Sequence, residues 1–105
     1  MTSEQDRRRF TEDVSRVFEA MGFPPMAGRV WAALLVSDQP QLSAADLQEQ
    51  IGASGGSIST ALATLNQLGI IERVWVPGDR RSYYAAPTSA LDRLLQRRAE
   101  ALTLM

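Results

Sequence analysis

Phe10, Val14, Val17, Phe18 and Met21 return to one side of a helix, so the spacing predicts an amphipathic helix over residues 3–21. Gly22-Phe23-Pro24-Pro25 breaks that pattern, and a proline tolerated in a first turn starts a second helix over 25–36, with Met26, Val30, Trp31 and Leu34 inward. A polar loop, Ser37-Asp38-Gln39-Pro40-Gln41, comes next. In Leu42-Ser43-Ala44-Ala45-Asp46-Leu47, Ser43 can cap a helix while Asp46, three residues on, returns a bond to the backbone. Leu47 and Ile51 give this short helix an apolar face, Gly52 offers the left-handed residue that ends it, and Ser54 can cap the next helix after a tight turn. That next helix buries Ile58, Ala61, Leu62, Leu65 and Leu68 and turns Ser57, Ser59, Thr60, Ala63, Thr64 and Gln67 outward. Residues 43–69 therefore read as helix, turn, helix.

After Gly69 the period changes. Ile70-Ile71-Glu72-Arg73-Val74-Trp75-Val76 is β-branched and aromatic, Pro77-Gly78-Asp79-Arg80-Arg81 is a turn, and Ser82-Tyr83-Tyr84-Ala85-Ala86 is a second strand, which predicts a β-hairpin over 70–86. Ser89 and Asp92 can cap a last helix over 89–105, where Leu91, Leu94, Leu95, Leu102 and Met105 recur at helical spacing. The fold class is thus mainly α with a small β-hairpin (α+β), in a single domain of 105 residues.

Composition narrows the chemistry. Cysteine and histidine are both absent, which removes disulfides, thiol nucleophiles, thiolate or imidazole metal ligands and the usual general base near neutral pH. Gly52-Ala53-Ser54-Gly55-Gly56 matches the G-x-S-x-G nucleophile elbow, but the elbow needs a preceding strand and a histidine, so Ser54 is read as a helix cap. No metal, cofactor or catalytic site is expected. No apolar run has the length of a membrane span, and Met1-Thr2-Ser3-Glu4-Gln5-Asp6 lacks the layout of a signal peptide, so the expected location is cytoplasmic.

Every basic residue is arginine, and the net charge is −1. In the hairpin, however, Arg73, Arg80 and Arg81 outnumber Glu72 and Asp79. Two readings stand for Arg7-Arg8-Arg9, a solvated or ion-paired face and a phosphate contact. Two also stand for Phe18, Trp31, Trp75, Tyr83 and Tyr84, which can be core or can line a pocket for an aromatic or quaternary-ammonium effector.

The run Ser54-Gly55-Gly56-Ser57-Ile58-Ser59-Thr60-Ala61-Leu62, then Leu65, Leu68-Gly69-Ile70-Ile71 and Gly78-Asp79-Arg80-Arg81-Ser82-Tyr83-Tyr84, resembles the winged helix-turn-helix of the MarR superfamily of transcription regulators. The segment Gly22-Phe23-Pro24-Pro25-Met26-Ala27-Gly28-Arg29-Val30-Trp31 resembles its GbsR-like branch. The resemblance implies a sequence-specific double-stranded DNA-binding regulator, a repressor released by a ligand or signal, acting as a homodimer on a palindromic operator. It also implies that an acidic residue near the wing tip, here Asp79, steadies the loop while an arginine enters the minor groove.

On that reading, Ser54, Gly55, Gly56, Ser57, Ser59, Thr60 and Thr64 form the DNA-facing side of the recognition helix. The two glycines leave backbone N–H groups open to a phosphate, or are merely tolerated in a fraying turn. Hydroxyls and a threonine methyl can meet several base types, yet no charged residue lies between Ser54 and Gly69 to select one sharply. Arg80 is taken as the minor-groove side chain and Arg81 as a phosphate contact, with the reverse assignment also open. Phe10, Val14, Val17, Leu91, Leu95 and Leu102 are expected at a dimer interface, because the terminal helices carry more apolar stripe than a small domain can cover; intramolecular packing is the alternative. A winged-helix module that binds protein without touching DNA is the rival function, supported by the acidic balance and the uncharged recognition helix.

Overall fold

The computed structural model describes residues 3–87. The expected helix over 89–105, and with it Leu91, Leu95 and Leu102, lies outside the described residues. Within them the order is α1 (Glu4–Ala20), α2 (Pro25–Val36), β1 (Leu42–Ser43), α3 (Ala44–Ile51), α4 (Gly55–Leu68), β2 (Glu72–Val74) and β3 (Tyr83–Ala85).

Each helix starts and stops on a local chemical signal. Ser3 caps α1 through a reciprocal box with Asp6, and Ser43 caps α3 in the same way with Asp46, whose amide donates to Ser43 Oγ at 3.1 Å while the Ser43 amide donates to Asp46 Oδ2 at 2.9 Å. Pro25 occupies the first turn of α2, where its missing N–H costs nothing. Gly52 and Gly69 end α3 and α4 at φ 75° and 73°, a region that side chains with a Cβ rarely enter.

Helices α1 and α2 approach so closely that a Cβ on Gly28 would lie 2.8 Å from Ser15 Cα. Ser15 is itself buried, and its hydroxyl donates to the Pro25 carbonyl at 3.3 Å. Around this contact Phe18 stacks at a tilt on Trp31, with ring centroids 5.6 Å apart, and the core continues through Val30, Leu47, Ile58, Leu65 and Ile70. Each such side chain, fully buried, contributes about 1.5–3 kcal/mol. Trp31 also ties α2 to the start of the sheet, its Nε1–H donating to the Ile70 carbonyl at 3.3 Å in the interior.

The sheet differs from the expected hairpin in two ways. It has three strands in the order β1-β3-β2, because Leu42 and Ser43 pair antiparallel with Tyr84 and Tyr83 before α3 begins. The run Ile70–Val76 also gives a strand of only three residues: Ile70 and Ile71 sink into the core before the ladder starts, and Trp75 leaves it, 75% exposed. The register Arg73↔Tyr84 and Val74↔Tyr83 then fixes which side chains the hairpin shows on each face.

Candidate nucleic-acid interface

Helix α4 buries Ile58, Ala61, Leu62, Leu65 and Leu68 and leaves Ser54 to Ser57, Ser59 and Thr60 exposed. The exposed turn is not chemically uniform. Ser54 Oγ accepts the Ser57 amide at 3.2 Å and its hydroxyl donates to Ser57 Oγ at 3.0 Å, so these two serines form one capped unit. Ser54 is therefore a helix cap in the structure, as the absence of histidine demanded. A Cβ on Gly56 would meet nothing within 4 Å, and one on Gly55 would only touch the Gln48 amide at 3.4 Å, so neither glycine is required by close packing. Thr64 is half-buried and its hydroxyl donates to the Thr60 carbonyl at 3.1 Å, which leaves mainly its methyl to face outward. Ser59 and Thr60 remain the exposed hydroxyls of this face.

The wing tip is a Val76–Asp79 turn closed by the Asp79 amide donating to the Val76 carbonyl at 3.1 Å, with Gly78 at φ 82°. Pro77 and Gly78 at the two central positions are the residues a type II turn asks for. Asp79 then gathers the first residues of the returning strand. Its carboxylate accepts the Arg81 backbone amide at 2.9 Å, Arg81 Nη2 at 2.9 Å and the Tyr83 hydroxyl at 2.7 Å. Hydrogen bonds from the Arg81 side chain, the Arg81 backbone and Tyr83 hold the carboxyl well below the usual carboxylate range. In return the Arg81 guanidinium and the Tyr83 phenol are pushed up, because each donates to that carboxylate.

Arg81 also stacks over the Tyr83 ring at 5.4 Å. Arg80 is exposed and has no intramolecular partner among the described residues. The sequence placed both arginines at the tip; that one is clamped and the other free became visible only once the turn was folded.

The remaining charged and aromatic groups divide cleanly. Arg7 pairs with Asp38 at 3.2 Å, Arg8 with Glu4 at 3.5 Å and Arg29 with Glu12 at 3.5 Å, which favours the ion-paired reading for Arg7 and Arg8. Phe18 and Trp31 are core, Tyr84 packs half-buried against it, Tyr83 is bound to Asp79, and Trp75 stands in solvent, so the five aromatics do not converge on a pocket. An open crevice of about 1180 Å³ lies elsewhere, between α1, α2 and the α3–α4 turn; Met26, Ala33 and Ile51 meet Arg7, Arg29 and Ser54 along it. On α1, Phe10 and Val17 are 39% and 53% exposed, whereas Val14 and Met21 pack against the core. Among the described residues no group of acids could hold a metal ion, and no helix is long and apolar enough to cross a membrane.

A capped helix-turn-helix followed by an arginine-tipped hairpin defines a winged helix-turn-helix protein. Residues 21–82 match the model of the MarR family, and the chain belongs to that family. It is 40% identical over 84 residues to the HTH-type transcriptional regulator MmpR5 of Mycobacterium tuberculosis; the match covers 80% of this chain and 51% of the relative, so the chain spans about half that relative's length. A crystal structure of a transcriptional regulator superposes with a TM-score of 0.81 at 36% identity, over 93% of this chain and 67% of that one. A MepR variant from S. aureus bound to an oligodeoxyribonucleotide shares the fold, with a TM-score of 0.64 at 17% identity over 93% and 76% of the two chains.

Proposed function

We propose that this chain binds double-stranded DNA as a transcriptional regulator, with α4 in the major groove and the β2–β3 wing against the minor groove. The observation that carries the reading is the wing tip, where an internally neutralised Asp79–Arg81–Tyr83 cluster leaves Arg80 exposed and, among the described residues, unpaired, while α4 exposes an uncharged, hydroxyl-lined face. The oligodeoxyribonucleotide bound by the MepR variant supports this use of the fold. A narrow minor groove draws an arginine by its negative potential, so the wing supplies the attraction that α4 lacks.

The regulator acts in the cytoplasm as a homodimer, the Phe10 and Val17 stripe of α1 joining a second copy. Two recognition helices about one helical turn apart then favour a palindromic operator. Repression relieved by a small-molecule effector completes the reading, and the crevice that reaches from α1 to Ser54, the cap of α4, supports it: a ligand seated there abuts the recognition helix directly. The GbsR-like assignment rests on Gly22 to Trp31, a segment in which Gly22 ends α1, Pro25 starts α2, and Gly28 lets the two helices touch.

The rival reading, a module that binds protein through the same surface, is favoured by the net charge of −1 and the absence of charge on α4. Selection of bound sequences from random duplex DNA separates the two. Enrichment of a two-fold-symmetric site supports the regulator; recovery of unenriched DNA supports the protein-binding module.

A further inference from the structure

The chain has two tryptophans in opposite circumstances, Trp31 at 3% exposure inside the core and Trp75 at 75% on the wing. Trp75 is the residue before the Val76–Asp79 turn and Arg80 the residue after it, so they flank the same tip. The Arg73 guanidinium lies 5.3 Å over the Trp75 ring and also donates to the Ser82 hydroxyl across the hairpin. It is thus held from two sides, yet no carboxylate pairs with it among the described residues. Of the two acids in the hairpin, Asp79 is already occupied by Arg81 and Tyr83, and Glu72 is paired with Ala85 one position away from Arg73, which puts it on the opposite face of β2. What remains on this face is a flat, exposed indole backed by a positioned, uncompensated cation.

We propose that Arg73 and Trp75 form an additional DNA contact, a platform on which Trp75 packs against the deoxyribose edge of the groove that the wing tip enters and Arg73 meets the adjacent phosphate. The proposal rests on the DNA-binding reading above and adds to it two residues on β2 and its exit. The occupant is set by charge: a fixed guanidinium without an acid complements a polyanion, and the ordering cost of a free arginine is largely removed before binding. An indole offers an apolar face to the sugar and an N–H donor to a phosphate oxygen, which a wet, charged surface needs.

Trp75 reports on itself. Because Trp31 is buried, emission that acrylamide can quench comes from Trp75. The duplex recovered by selection is added to the 105-residue chain, and binding is followed independently by the anisotropy of an end-labelled copy of that duplex. The expected result is protection of Trp75 from quenching that saturates together with the anisotropy. Trp75→Ala should bind roughly tenfold more weakly, as the loss of an aromatic interface anchor does. Arg73→Gln should lower the salt slope by about one unit, as the loss of one phosphate contact does. Both positions are exposed, so neither change threatens folding. Binding seen by anisotropy with unchanged quenching overturns the platform and leaves the regulator intact. Protection that appears with rising protein concentration before DNA is added shows that a protein surface covers Trp75, and also overturns it. Failure to bind any duplex overturns both readings at once.

Discussion

Asp79 holds Arg81 by its backbone and its side chain together, accepting the amide and Nη2 each at 2.9 Å. This double grip ties the direction of the guanidinium to the path of the chain, and Tyr83, the first residue of β3, closes it two residues further on. The wing tip is therefore a pre-shaped loop with one restrained arginine and one that is exposed without a partner among the described residues, rather than a pair of equivalent cations.

The direction of each shift sets the pH dependence of that loop. The Asp79 carboxyl is depressed on folding, so its contribution is fully present above the ordinary carboxylate pKa of about 4 and is lost as pH falls through the lower folded value. The Tyr83 phenol is raised, so its contribution persists below its ordinary pKa of about 10 and disappears only as pH rises through the higher folded value. The wing should keep one conformation between those limits. Carboxyl titration by carbon NMR checks this: an Asp79 signal titrating near the ordinary value of about 4 contradicts the network, and Asp79→Asn should speed exchange of the Arg81 amide.

Gly28→Ala should destabilise the fold by about 1–3 kcal/mol, because the new methyl meets the Ser15 backbone at 2.8 Å and rigid backbone has no rotamer with which to yield. Denaturant unfolding of the two proteins gives the difference. A stability equal to the parent's means that α1 slides along α2 without loss, and that the close packing of Gly28 is dispensable.

Much of this fold could be read directly from the chain because its signals are local. Ser43 with Asp46, Gly52, Ser54 and Gly69 each act within one helical turn, and they set the bounds of α3 and α4 where the structure has them. Strand β1 escaped because two residues carry no periodicity, and Leu42-Ser43 pairs with the distant Tyr83-Tyr84. For the same reason the roles of Phe18, Trp31 and Trp75 were open: aromatic character does not say which ring the tertiary packing covers. The candidate site was legible in its residue types, whereas the Asp79–Arg81–Tyr83 network, although local in sequence, depends on the backbone path out of the Val76–Asp79 turn, which residue types alone do not give.

Replacing Phe10 and Val17 together by serine should shift the assembly toward monomer without unfolding it, since both are exposed on α1 while the buried Phe18 stays in place. Sedimentation at micromolar concentration reads the outcome. An unchanged dimer moves the interface away from this face of α1, and a parent protein that is already monomeric removes the two-half-site arrangement.

On α4, Thr60→Ala should change the ranking of operator variants more than Thr64→Ala does, because Thr60 is exposed whereas the Thr64 hydroxyl is spent on the Thr60 carbonyl. Competition binding with single-base variants of the selected site measures it. Equal, uniform losses for both substitutions contradict base contact by this helix.

Titration of a duplex against the parent protein, Arg80→Ala and Arg81→Ala at several salt concentrations, with A·T-rich and G·C-rich flanks compared, tests the DNA-binding account most directly. The parent should bind with a clear negative salt slope. Arg80→Ala should flatten that slope by about one unit and weaken A·T-flanked sites more than G·C-flanked ones, the mark of an arginine in a narrow minor groove. Arg81→Ala should add the consequences of a loosened loop, because it also removes one of the two side-chain partners of Asp79 and leaves only Tyr83. Affinity and salt slope left unchanged by both substitutions, or no salt-dependent retention of duplex by the parent, would contradict DNA recognition through this wing.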